Sequence, residues 1–399
     1  MGGRRIYLDY HATTPVDPRV LTDMLPFFTE RFGNPHSRQH AWGWDADKAV
    51  GRARAQVAEL IGAAANEIVF TSGASESNNL ALKGAAERLR DRGRRIVTVA
   101  TEHKSVLDTC RHLEQQGFEV VRMPVQPDGL LDLDTVRAAL TPGTILLSVM
   151  AANNEIGTLQ PLAEIAGIAH ERGIVVHSDA AQAAGKIPID VATIPVDLLS
   201  LTAHKMYGPK GAGALYIRRR NPKIQLAPQV DGGGQESGIR SGTLNVPGIV
   251  GFGRAAEICR QEMPEESVRL RGLRDALLAG LRAGIPGLHV NGTLDRRLPH
   301  NLHIGIADVD GSALLMSLGD LAVSTGSACS SGNETLSHVL QALGAVPGGA
   351  YIRFGLGRMT TADEVDAAVE RLTAVVTHSR SSSPLDPSLQ SPRSSPARS

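Results

Sequence analysis

Two short segments carry an aspartate and a lysine where they could act together: HSDAAQ (177–182) and TAHKMYGPKG (202–211). Each follows an apolar run, GIVV or DLLSL, and so falls at the carboxyl end of an expected strand, the rim where open α/β sheets bind ligands. Taken alone, Asp179 reads as a helix cap or surface charge and Lys205 as a solvated tip. Together they suit pyridoxal 5'-phosphate (PLP). An amine can join its aldehyde as a Schiff base, and a carboxylate can keep its ring nitrogen protonated so that the ring accepts electrons. TSGASESNN (71–79) joins a strand to a helix. Gly73 permits a tight turn there, and the small Ala74 and Ser75 bring backbone N–H groups to an anion at the helix start. An ordinary N-cap turn uses the same residue types. His204 is a further donor beside Lys205, or else a capping histidine. His103, in TEHKS, could stack on a flat ring or simply bond within its loop. NNEIG (153–157) and Gln182 offer neutral donors of the kind that meet a phenolic oxygen. The glycine-rich DGGGQESGIRSGT (231–243) is either a linker or a loop reaching a phosphate with Arg240, Ser241 and Thr243. STGSACSSGN (324–333) sets Cys329 among residues with no large apolar side chain, unlike a structural buried thiol.

The elements that must position these residues alternate along the chain. EIVF, RIVTVA, ILLSVM, IVVHSDA and DLLSLTAH read as strands, with helical patterns between the first four. Strand–helix alternation predicts a mainly parallel sheet covered by helices. A long helix over about 248–283 leads to shorter strands (HNLHIGI, AVSTGSA, YIRFGLG) and helices near 311–319 and 361–376. We read residues 15–258 as a large domain, and 1–14 with 259–378 as a smaller α+β domain holding the cysteine loop (324–334). The Ser/Pro-rich 379–399 is a tail that cannot offset its ordering entropy. At 399 residues two domains are expected. A formal net charge of zero gives no field for nucleic acid or a membrane surface. No apolar run is long enough to span a bilayer. Three scattered cysteines argue against a disulfide framework and for a reducing, cytoplasmic compartment. Cys110 and Cys259 lie in helical patterns as small hydrophobes.

Ten motifs in order then identify a resemblance: LDYHATTP, GNPHS, TSGASESNN, EHKS, NNEIG, HSDAAQ, HKMYGPKG, GGGQESGIRSGT, GSACSS and IRFGLGR. Over roughly residues 5–378 the chain resembles the PLP-dependent cysteine desulfurases of the NifS/IscS type. These form a class-V aminotransferase branch of the fold-type I enzymes. The resemblance implies an α/β PLP-dependent transferase fold with a seven-stranded sheet. It implies Lys205 as the cofactor-bearing lysine and proton shuttle, Asp179 at the ring nitrogen, Gln182 at the ring oxygen and His103 over the ring. Ala74, Ser75, Thr202 and His204 would hold the phosphate, and Thr243 would reach the phosphate of a second subunit, hence a homodimer. Asn154, Arg353 and Asn34 would serve the substrate, and Asn154 the cofactor as well. Cys329 would take the sulfur of L-cysteine as a persulfide, leaving alanine, and would pass it to an acceptor protein such as an iron–sulfur scaffold. No resident metal is implied, with Cys329 at most a transient iron–sulfur ligand. tRNA thiolation is a second destination. Selenocysteine lyase and aminotransferase activities share this frame, and a non-catalytic scaffold would lack the chromophore. SSGNETLSHVL (330–340) departs from the TSASLEPSYVL common in cluster-assembly members, and Thr202 stands where a serine is usual.

Overall fold

The computed structural model describes residues 5–325, 327–328 and 335–382; Cys329 and the end of the chain from 383 lie outside the described residues. Seven strands form the central sheet: β1 (Ile68–Thr71), β2 (Arg95–Val99), β3 (Glu119–Met123), β4 (Thr144–Ser148), β5 (Val175–Asp179), β6 (Leu198–Thr202) and β7 (Gly213–Ile217). Their order is β1-β7-β6-β5-β4-β2-β3. β2 to β6 run parallel, and β7 lies antiparallel between β1 and β6. Alternate side chains enter two cores because strand residues alternate faces. Val97, Leu147, Val176 and Leu199 pack on one face, Ile96, Leu146, Val175 and Leu198 on the other. Burial on both faces explains the unbroken apolar runs.

Helix α1 (Ala41–Leu60) covers the first face, while α2 (Ala74–Arg88) and α3 (Lys104–Gln115) cover the second. α4 (Val246–Gly284) crosses α1, where a Cβ on Gly253 would lie 2.5 Å from the Ala53 Cα, so only glycine allows so close an approach. The 39 residues of α4 span about 58 Å and connect two cores. Its first half buries Ile249, Phe252 and Ala256 in the sheet core; its second half buries Leu270, Leu277 and Leu281 in a separate one. That second core lines a four-stranded antiparallel sheet of β8 (Leu288–Val290), β9 (Asn301–Ile306), β10 (Ser324–Thr325) and β11 (Ala350–Gly355), ordered β10-β11-β9-β8. Helices α5 (Gly311–Leu318) and α6 (Ala362–Ser382) complete it. Ile6 and Leu8 also belong to this core, and Ile6–Tyr7 pairs parallel with Leu321–Ala322.

The α/β class with a mainly parallel sheet agrees with the expectation. Strands β3 and β7 were not in it. β3 is an edge strand whose Glu119 and Arg122 are exposed, so its pattern is weak, and β7 (GALYI) follows a proline- and glycine-rich turn. Helix α6 continues through Ser379, the expected start of the tail, to Ser382.

Candidate active site

The carboxyl ends of the parallel strands open on a cavity of about 580 Å³. Its lining includes Ala74, Ser75, His103, Asn154, Asp179, Gln182, Thr202, His204 and Lys205. These residues come from five different chain segments, brought together because β5 and β6 are neighbours and α2 and α3 begin at the same rim.

Lys205 ends a short 3-10 turn (Ala203–Lys205) directly after β6, and its Nζ donates to the His11 carbonyl. Burial, then repulsion from Arg353, pulls the amine down from 10.5 to about 8; Asp9 and Asp179 oppose this. A depressed amine at a cavity is the form that attacks carbonyls. Asp179, last residue of β5, is buried. Its Oδ1 accepts the Ala181 N–H at 2.9 Å and its Oδ2 accepts the Asn78 Nδ2–H at 2.7 Å. Asn78 also donates to Ser105 Oγ at 2.8 Å, and that hydroxyl lies 2.8 Å from His103 Nδ1. His103 caps α3, its Nδ1 accepting the Ser105 N–H at 3.1 Å, which leaves its ring proton on Nε2. Burial first, with Lys205 and His338, lowers its basicity against the pull of Asp179. His103 therefore caps a helix and also lines the cavity.

Gly73 precedes α2 with φ 156° and ψ 177°, a conformation essentially reserved for glycine. Among the described residues no side chain caps the first-turn N–H groups of α2, so they remain available to an anion. β7 passes directly beneath: a Cβ on Gly213 would sit 2.5 Å from the Gly73 Cα. His204 faces Thr13 Oγ1 at 3.1 Å and is held down to about 4 by burial and the charges of Lys205 and Lys210. It is thus a neutral partner near neutral pH. Arg353, on β11, donates to the Asn154 carbonyl at 2.9 Å, to Asp9 Oδ1 at 2.8 Å and to Ser324 Oγ at 3.0 Å. Its buried Nε has no hydrogen-bond partner among the described residues.

Other expected residues are elsewhere. Asn34 is exposed, its Oδ1 accepting the His36 N–H at 3.0 Å, and it does not line this cavity; the polar turn residues of GNPHS bond within their own loop. Thr243 is exposed and also lies off the cavity of its own chain. The glycine-rich loop is neither a free linker nor a phosphate clamp for this cavity. Arg240 pairs with Glu76 in the first turn of α2 at 2.7 Å, and Ser241 Oγ accepts the Gly234 N–H at 3.2 Å. Glu236 anchors the same loop, accepting from Arg54 at 2.6 Å and from the Phe70 N–H at 2.7 Å. Asn153 is a turn-former, its Oδ1 accepting the N–H groups of Glu155 and Ile156. Cys329 lies outside the described residues, but both flanks of its segment are fixed beside the cavity. On one side Ser324 donates to Asp9 Oδ1 at 2.8 Å; on the other, Ser337 donates to Glu155 Oε2 at 2.6 Å and His338 Nε2 to the Glu102 carbonyl at 2.9 Å.

Sequence reading missed three buried groups. Glu102 is buried, accepts the Met150 N–H at 2.6 Å, and is pushed well above the usual carboxylate range by burial and by Asp179. His11 and Asn301 sit behind Gln182. His11 and Glu102 lie inside the motifs LDYHATTP and EHKS, but their roles arise from contacts distant in sequence, which a motif does not show.

The chain belongs to the class-V aminotransferase family, whose model matches residues 6–368, a PLP-dependent family. Its relatives include the cysteine desulfurase IscS of Anaeromyxobacter dehalogenans, 55% identical over 382 residues, 95% of this chain and 94% of that protein. The cysteine desulfurase IscS of Rickettsia africae is 50% identical over 95% of this chain and 93% of its own length. A solved NifS-like protein superposes with a TM-score of 0.88 at 39% identity, covering 94% of this chain and 100% of that one. A structure of SspA in complex with cysteine gives 0.79 at 38% identity over 88% and 98% of the two chains.

The cavity residues fit PLP. Its volume is of the size that holds a small cofactor. The uncapped start of α2 suits a phosphate, Asp179 is an oriented buried carboxylate, and Lys205 is an amine depressed toward neutrality.

Proposed function

We propose that the protein is a cysteine desulfurase that leaves the sulfur of L-cysteine as a persulfide on Cys329, releases L-alanine, and supplies that sulfur to an acceptor protein, with iron–sulfur-cluster assembly as its destination. The observation that carries the reading is the meeting of a depressed lysine and an oriented buried carboxylate in one cavity. Near-full-length relatives that are cysteine desulfurases support it.

When bound, PLP accepts the electron pair released at the substrate α-carbon. Lys205 would hold the group and would carry protons to and from the α- and β-carbons of the substrate; an amine near 8 can serve in both directions. Asp179 would keep the ring nitrogen protonated, Ala74 and Ser75, with Thr202 and His204, would hold the phosphate, and His103 would meet the ring. Arg353, held against the Asn154 carbonyl behind the cavity wall, would with Asn154 grip the substrate carboxylate through its planar fork. The Cys329 thiolate attacks the substrate sulfur. The S–S bond forms as the carbon–sulfur bond breaks, the electron pair stays on carbon, and a proton from Lys205 completes alanine.

A homodimer fits two observations. Thr243 is exposed on an anchored loop, and Leu25, Phe28, Phe32, Trp42 and Trp44 are exposed near one another in sequence. Large apolar side chains left exposed at this density favour a covering second subunit. Cys110 and Cys259 are free and buried, which suits a reducing compartment such as the cytoplasm.

The test is an absorbance spectrum of the purified protein with PLP, before and after L-cysteine. The account expects a long-wavelength band that L-cysteine perturbs, with alanine formed stoichiometrically with sulfide when a thiol is supplied. Lys205→Ala should lack the band. Absence of the band in the parent protein, or turnover confined to L-selenocysteine, would overturn the reading.

A further inference from the structure

Behind the cavity wall a run of buried polar groups has its hydrogen-bond polarity fixed from one end. It begins at Arg297, which is 4% exposed and pairs with no carboxylate among the described residues. A guanidinium can only donate. It donates to the carbonyls of Thr293 and Asn291 and, through Nη1, to Asn301 Oδ1 at 2.9 Å. That bond settles which end of the Asn301 amide is oxygen. Nδ2 then donates to the Glu155 carbonyl at 2.9 Å and to His11 Nε2 at 3.0 Å.

His11 Nε2 must therefore be the bare nitrogen, and the ring proton sits on Nδ1. That proton points to Gln182 Oε1 at 3.0 Å. With its oxygen turned to His11, Gln182 donates one N–H to the His11 carbonyl at 3.1 Å. The other N–H is left for the cavity that Gln182 lines. The same His11 carbonyl also receives Lys205 Nζ. One residue of the N-terminal arm thus touches both Lys205 and Gln182.

The surroundings keep His11 neutral. It is 1% exposed, stacked on His300 with ring centroids 4.4 Å apart. Burial, then the charges of Arg353, Lys205 and Lys186, press its basicity well below the ordinary histidine range, and only the Gln182 bond opposes them. Room for Asn301 comes from the NNEIG motif: a Cβ on Gly157, whose φ is 71°, would fall 2.4 Å from the Asn301 Cγ. The motif glycine thus makes space for a link in the run, a role its sequence does not suggest.

We infer that His11 is a positioning residue whose Nδ1–H, fixed through Asn301 by Arg297, holds Gln182 with its N–H toward the cofactor's ring oxygen. This rests on the PLP reading of the cavity. An N–H at that oxygen stabilises its negative charge, so the nitrogen joining Lys205 to the cofactor gives up its proton at lower pH. Without the His11 ring only the His11 backbone carbonyl still orients the Gln182 amide, so the amide turns its oxygen inward more often and that titration moves up.

Two measurements test it. Nitrogen-15 NMR of the imidazoles in cofactor-free protein should find His11 protonated on Nδ1 alone; an Nε2–H tautomer or an imidazolium would overturn the assignment, whatever the protein catalyses. In PLP-loaded protein, His11→Phe should keep the long-wavelength band but raise its pH midpoint by about one unit, the loss of one charge-assisted hydrogen bond. An unchanged or lowered midpoint would refute the inference. If His11→Phe fails to fold, Asn301→Leu carries the same expectation, because the histidine proton is then free to move to Nε2. A parent protein with no band at all would instead refute the PLP reading, with the NMR result still deciding the hydrogen-bond order.

Discussion

The depressed amine of Lys205 makes a quantitative prediction about how the protein takes up PLP. Lowering the amine from 10.5 to about 8 raises the neutral, nucleophilic fraction about 300-fold at pH values below both. Mixing cofactor-free protein with PLP from about pH 6 to about pH 10 should give a rate of band formation that climbs and levels off near 8. The causes can be separated by sign. Arg353→Gln removes the largest neighbouring charge that disfavours the ammonium and should shift the plateau to higher pH. Asp9→Asn removes a charge that favours it and should shift the plateau lower. The stability consequence has its own sign. The folded amine titrates below the unfolded one, so the cost of burying the ammonium is felt fully below about pH 8. It is relieved as pH rises toward 10.5. A plateau near the ordinary lysine value, or variants that shift the same way, would refute the electrostatic account of Lys205.

Two further outcomes test other parts of the site. Arg353→Lys keeps the charge but loses the planar fork, and should raise KM for L-cysteine roughly 10-fold or more while PLP affinity stays the same; an unchanged KM would remove Arg353 from the substrate site. Gly73→Ala meets no clash, its Cβ standing 3.8 Å from Thr202 Oγ1, yet forces alanine to φ 156°. That strain of about 1–3 kcal/mol should appear as PLP binding weakened roughly 10-fold or more in an equilibrium titration, and binding at parental affinity would contradict the phosphate role of this turn.

What could be read in sequence follows from how strands present residues. Asp179 and Lys205 each end an apolar run, so their arrival at one rim follows from parallel β5 and β6 lying side by side. Gly73, Ala74 and Ser75 were legible for the same reason, as the turn between β1 and α2. Residues whose work depends on contacts far along the chain were not legible. His11 reaches Gln182 and Asn301, 171 and 290 positions away, and no local pattern announces such a pairing. The glycine-rich loop misled in the opposite direction. Its composition suggests slack, but Glu236 and Arg240 fasten it to Arg54 and Glu76 through ion pairs whose partners lie in α1 and α2. Asn34 shows that a motif can be matched residue for residue while its side chain serves its own turn.

The central claim is that sulfur leaves the cavity on Cys329. The other two cysteines are poor candidates on physical grounds. Burial pushes the Cys110 thiol up to about 12, and Cys259 is also raised by burial within the core. Neither is a thiolate at neutral pH, and the thiolate is the nucleophile. Peptide mass spectrometry of the PLP-loaded protein after brief exposure to L-cysteine should find one added sulfur on the peptide containing Cys329 and none on those containing Cys110 or Cys259. A persulfide on either of those two, or alanine formation undiminished in Cys329→Ser, would contradict the account.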